Sequence, residues 1–240
     1  MKNFKKLVTS FFCLSVVSLA LVSCIKDTAV TPQAVADVII QDMKTDAGIK
    51  YAVIVYASAN IDIASAKVTA PGTPGKIYQL TATSNKMQFV YTPQAADYTS
   101  DMPVKGDYTI DIVTASGQTL SGKDVVGEEK LTPIAIKTAT MASQKLKTTW
   151  DKVTGADAYV VKLYSANKAE LLYSSNYLAA DAVDFEFSSS SSGWGYGVSP
   201  VANTNYVVEL LGVKVETGVT IDQATNLQFI TIDSKTIKWE

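Results

Sequence analysis

The sequence predicts an all-β chain, built as two β-sandwiches in tandem behind an N-terminal export signal. Three observations predict it. Short runs rich in Val, Ile, Thr and Tyr recur along the chain, bounded by Gly, Pro, Asn, Asp and Ser. No long stretch carries the apolar period of an amphipathic helix. The composition, 47% hydrophobic and 18% charged over 240 residues, is that of a globular chain long enough for one large domain or two small ones.

In the first half the runs are Val38–Gln41, Lys50–Ala57, Ile63–Thr69, Ile77–Thr83, Lys86–Thr92, Asp107–Thr114 and Thr119–Val126. The segment Pro71-Gly72-Thr73-Pro74-Gly75 cannot continue a ladder, because proline lacks the N–H donor and fixes φ. Ser84-Asn85 and Ser116-Gly117-Gln118 sit between β-rich runs and suggest hairpins. After Lys105-Gly106, Tyr108, Ile110 and Ile112 alternate with Thr109, Asp111 and Val113, the period of two that a half-buried strand requires. Runs at this spacing fit a sandwich over residues 37–130. The segment Gly106-Asp107-Tyr108-Thr109-Ile110 resembles the tyrosine corner of immunoglobulin-like domains. The resemblance implies that Tyr108 bonds back to the backbone. Ile110 stands where those domains carry a cysteine, which suits a sandwich without a disulfide.

Glu128-Glu129-Lys130-Leu131-Thr132-Pro133 is polar and then broken by proline, and reads as a boundary before a second sandwich at 131–240. There Leu146-Lys147-Thr148-Thr149-Trp150 precedes Val153-Thr154-Gly155-Ala156 and Tyr159-Val160-Val161-Lys162-Leu163. This resembles the fibronectin type III family, in which strand B ends at a core tryptophan and strand C opens with a tyrosine. Val198–Leu210 resembles that family's corner and strand F, with Tyr206 as the corner tyrosine. Trp150 and Tyr206 are accordingly expected in the core. Gly218–Glu240 is long for a final strand and is expected to add a hairpin, NLQFITID followed by KTIKW. The fold is shared by many unrelated functions, so it says little about activity.

The N-terminus carries its own address. Lys2, Lys5 and Lys6 precede residues 7–22, a 16-residue uncharged stretch that is short of the ~20 needed to span a bilayer. It ends in Leu21-Val22-Ser23-Cys24, which resembles the lipobox of Gram-negative bacterial lipoproteins. The resemblance implies removal of residues 1–23 and acylation of Cys24, so the chain is anchored to a membrane rather than spanning it. Residues 24–36 then form the lipidated cysteine and a short tether. No aspartate follows Cys24, and Cys-x-Lys-Asp resembles part of a surface-export signal, so the expected place is the outer membrane at the cell surface.

The chemistry is bounded by what is missing. There is no histidine, every one of the 21 basic residues is a lysine, and the cysteines are Cys13 and Cys24. These absences exclude Ser-His-Asp and Cys-His catalysis and imidazole–thiolate zinc sites. Without the leader lysines, 18 lysines face 23 acidic residues, a net charge near −5 that offers nucleic acid no footprint. Asp184 and Glu186 share one strand face and could in principle serve carboxylate-only hydrolysis, but alternation with Val183, Phe185 and Phe187 reads as a solvated face over core residues. Asp101, Asp107 and Asp111 could approach a calcium ion but lack EF-hand spacing. In the loop Ser188–Gly197, five serines and three glycines carry Trp194 and Tyr196. These rings either stack on a sugar or fold back as a cap, and the cap is favoured.

No cofactor and no metal is expected. The reading is a non-enzymatic, lipid-anchored binding or adhesion module with a glycan as candidate ligand at Trp194 and Tyr196. The alternative is a structural or spacer subunit of an outer-membrane assembly. Expected partners are the membrane, through the lipid, and a glycan or surface protein. Protease added to intact cells should degrade the protein; full protection behind a verified intact outer membrane would place it on the periplasmic side.

Overall fold

The computed structural model describes residues 30–45, 47–221 and 226–240; the leader, Cys24 and tether residues 25–29 lie outside them, and the end of the expected tether, from Ala34, is already strand. Every run expected in the first half is a strand: β1 (Ala34–Thr45), β2 (Gly48–Ala59), β3 (Ile63–Thr69), β4 (Ile77–Ala82), β5 (Gln88–Tyr91), β6 (Gly106–Thr114) and β7 (Thr119–Val126). The second half contributes β8 (Ile136–Ala142), β9 (Lys145–Trp150), β10 (Ala158–Ser165), β11 (Leu171–Ser174), β12 (Leu178–Ala179), β13 (Asp184–Ser188), β14 (Asn205–Val215) and β15 (Leu227–Lys238). The fold is all-β and sandwich-like.

The first sandwich sets β1, β2 and β5 against β3, β6 and β7. Strand β4 belongs to both layers: Ile77–Leu80 pair with β3, and Thr81 and Ala82 with β5. Tyr108 is fully buried and its hydroxyl donates to the Val104 carbonyl at 2.8 Å, the corner bond its sequence context implied. The second sandwich sets β13-β9-β8 against β11-β10-β14-β15. Its corner is closed by Tyr206, whose hydroxyl accepts the Val201 N–H at 2.8 Å. Trp150 is buried, its ring 5.4 Å from that of Tyr159. The Tyr159 hydroxyl in turn accepts the Val153 N–H at 2.7 Å and holds the turn between β9 and β10.

Two expectations need correcting. Gly218–Glu240 does not fold as an added hairpin: β15 runs unbroken and pairs along β14 from Asn205↔Lys238 to Val215↔Leu227. The polar residues read as a turn stand inside the strand because they are satisfied there. Asp233 accepts the Ile136 N–H at 2.7 Å, tying β15 to β8. Val183 is 49% exposed rather than core, since β13 begins only at Asp184; Phe187 does carry the buried face.

The two expected sandwiches share a sheet. Residues Ile40–Met43 of β1 pair in parallel with Phe229–Ile232 of β15, while all of β1 pairs antiparallel with β2. The main sheet therefore runs β11-β10-β14-β15-β1-β2-β5-β4-β3-β6-β7, through both halves. Gln33–Glu240 form one compact unit, and the segment around residue 130 lies inside it. Ile40 and Phe229, register partners, are both fully buried and belong to one apolar core that extends from Tyr108 to Tyr206. Within that core Gly212 is a point of close approach: a Cβ there would stand 2.9 Å from Thr231 Cγ2.

This continuity is testable because the three tryptophans, Trp150, Trp194 and Trp239, all lie in the second half. Ile40→Ala should cost about 2–5 kcal/mol and lower the denaturant midpoint read by tryptophan fluorescence. An unchanged tryptophan transition would mean that the halves unfold independently.

Candidate functional site

A β-strand turns alternate residues to opposite faces, and the larger apolar core lies on one face of the shared sheet. Its other face carries Ile39 (β1), Ile54 (β2), Val160 (β10), Leu211 and Val213 (β14) and Ile230 (β15), each 8% exposed or less. All but Ile54 floor an open trough of about 740 Å³ that crosses the junction between the halves. Val35, Tyr56 and Tyr177 stand at its rim, 61%, 53% and 38% exposed. Its polar groups are Asp37 at one end, Lys162, the Gln88 and Asn176 amides, and the hydroxyls of Ser58, Thr83, Ser174 and Ser175. The volume falls in the range that receives a small ligand or the side chains of a partner.

Asp37 belongs to β1 and is 7% exposed. Its Oδ2 accepts the Leu227 N–H at 3.1 Å, while Oδ1 is sealed from water and has no hydrogen-bond partner. Oxygens of Asp37, Asp124 (β7) and Glu216, just beyond β14, lie within 4.8 Å of one another. Burial, with added repulsion from Asp124 and Glu216, pushes Asp37 up to about 8 against the pull of the Leu227 N–H. Glu216 is also raised, by burial first and then by Asp124. On the core face of the same strand, Asp42 is pushed up to about 6 by burial, although Thr231, the Ile232 N–H and Lys130 oppose the shift. Lys162 on the floor is lowered by burial.

The residues singled out in the sequence fall elsewhere. Trp194 is a packing residue. Its Nε1 donates to the Ser188 carbonyl at 2.9 Å, and its ring lies 5.2 Å from Tyr173, 6.0 Å from Phe187 and 5.7 Å from Trp239. The Gly195 N–H bonds the Leu172 carbonyl, and Ser174 bonds Gly193, so the glycine-rich loop lies along β11. Tyr196, by contrast, is wholly exposed. Of the two rings, Trp194 packs as a cap and Tyr196 stands free. Asp184 and Glu186 project to solvent and pair with Lys147 at 3.0 Å and Lys145 at 2.8 Å, surface pairs worth about 0–1 kcal/mol each. Asp107 and Asp111 pair with Lys123 and Lys67, and do not meet Asp101 in a cluster.

Sequence reasoning missed Asp37, Asp124 and Glu216, because β1, β7 and β14 meet only through long-range pairing. A usable signal was present in Asp37-Val38-Ile39-Ile40, an apolar run without alternation, which marks a strand buried on both faces.

No protein-family model matches the chain, and no curated protein matches it. Among solved structures, a two-domain fibronectin type III segment from chicken tenascin is 12% identical, with 77% of this chain and 91% of that one covered and a TM-score of 0.30. Dimeric latent PorU from Porphyromonas gingivalis is 10% identical, with coverage of 90% and 21% and a TM-score of 0.29. A tetra-tandem repeat from the extending region of a large adhesion protein is 13% identical, with coverage of 86% and 50% and a TM-score of 0.26. Likenesses this partial carry no argument about what the chain does.

The buried acids predict a pH dependence. A carboxyl raised in the fold keeps a proton that the unfolded chain has lost, so stability falls as pH climbs from the ordinary 3.8 to about 8 for Asp37 and to about 6 for Asp42. Asp124, Glu216 and Glu129 are the charged groups grouped around the Asp37 end, and all share its sign. In EDTA, the denaturant midpoint should drop between about pH 6 and pH 8, and Asp37→Asn should flatten that drop.

Proposed function

We propose that the chain is a non-enzymatic module, lipid-anchored through Cys24 at the outer face of the outer membrane, that works by binding a protein partner through the trough. One observation carries the reading: an open, aliphatic floor laid across the junction of the two halves. Ile39, Val160, Leu211 and Ile230 offer no donors or acceptors, and a sugar seated there would lose hydration of its hydroxyls without compensation. An apolar stretch of polypeptide loses nothing comparable, and the rim tyrosines suit such a contact, since tyrosine is enriched where interfaces are strongest. The solvated carboxylates of β13 are occupied by lysines and stand away from the trough.

A second reading rests on Tyr196. A fully exposed ring on a glycine-rich loop is a stacking surface for a glycan. The same experiment separates the readings. In cells displaying the full chain, Tyr56→Ala with Tyr177→Ala should weaken adhesion to the partner surface by about tenfold or more, with surface level and melting temperature unchanged. Loss through Tyr196→Ala alone would favour the glycan. No loss in either variant would leave the spacer role.

A further inference from the structure

The end of the trough holds an arrangement that binding by apolar contact does not use. Asp37 from β1, Asp124 from β7 and Glu216 from the end of β14 bring three carboxylates together, with one oxygen of each inside a 4.8 Å span. No lysine pairs with any of the three among the described ion pairs. The neighbour that adds to the field at Glu216 is another acid, Glu129. Backbone donors are partly supplied: Val38 N–H to Asp124 Oδ2 at 2.6 Å, Val125 N–H to Asp124 Oδ1 at 2.8 Å, and Leu227 N–H to Asp37 Oδ2 at 3.1 Å. Asp37 Oδ1 receives nothing, although it is shut off from water in a residue more than nine-tenths buried. A sealed carboxylate oxygen with no proton donor is destabilising unless something completes it.

We infer that Asp37, Asp124 and Glu216 form a calcium site that staples the two halves of the sheet together. The donor set is all oxygen, which suits hard divalent cations and not zinc or copper. Ligand geometry favours calcium: it accepts irregular sets of carboxylate oxygens at about 2.3–2.6 Å, whereas magnesium demands a near-ideal octahedron at about 2.0–2.1 Å and keeps most of its water. Three carboxylates brought together from β1, β7 and the end of β14 are a set of the first kind. Three protein ligands leave further positions for water or carbonyl oxygens, as calcium's coordination number of 6–8 requires. The ion would link β1 to β7 within the first half and to the β14 end of the second.

The test uses the purified full chain, stripped with EDTA and titrated with calcium chloride at about pH 7.5, by calorimetry and thermal melting. One calcium per chain should bind with Kd between about 10⁻⁶ and 10⁻³ M, and the melting temperature should rise with calcium. Asp37→Asn and Glu216→Gln should each weaken binding by about 100-fold, while Asp184→Asn, on the solvated face of β13, should bind as wild type. Asp37→Asn also removes repulsion, so without calcium it should melt no lower than wild type; this separates loss of the ion from loss of the fold. No binding up to about 10 mM, binding retained in both site variants, or a response to magnesium but not calcium would each overturn the assignment.

Discussion

The parallel ladder between Ile40–Met43 and Phe229–Ile232 is the constraint on which the rest of the molecule depends. Each half has the makings of a sandwich, but β1 is an edge for neither. It serves β2 on one side with its whole length and β15 on the other with its second part. The apolar cores of the halves consequently merge beneath it, where Ile40 and Phe229 lie side by side. Two aspartates on the same strand reinforce the seam by accepting N–H groups of β15, Asp37 from Leu227 and Asp42 from Ile232. These are charge-bearing side chains placed at real energetic cost, and the raised proton affinity of both is the sign of that cost.

The trough follows from the same ladder. A sheet with its core on one side usually turns polar residues to water on the other. Here the central strands β1, β14 and β15 are apolar on both faces, and the outward set of Ile39, Leu211, Val213 and Ile230 lies buried at the foot of the trough with Leu227 and Ile232 packed against it. An apolar concavity of this kind is the usual place for a contact. The acidic cluster sits at its end because Asp37 belongs to both features.

What the sequence disclosed was local. The strands of the first half, the corner bonds of Tyr108 and Tyr206, and the burial of Trp150 each depend on residues within a few positions of one another, and period and turn chemistry record such relations directly. Pairing between residues about 190 positions apart leaves no such trace. So the split at residue 130 looked natural, the final strand looked like a hairpin around Asp233-Ser234-Lys235, and nothing near Asp37 or Asp124 in the sequence pointed to their meeting. Trp194 was legible only as a choice, because a ring flanked by glycines can pack or project. The stacked pair Tyr173 and Phe187, 4.0 Å apart, supplies the bed that decides it.

The ladder also governs the order in which the chain can be made. Strand β1 precedes its parallel partner by about 190 residues, so one side of β1 must wait for β15 to be made. During that interval Ile40–Met43 is a bare strand edge, the kind of surface that recruits the wrong partner. Closing so distant a contact makes maturation slow by topology alone. A nascent molecule of this kind has reason to be escorted until β15 arrives.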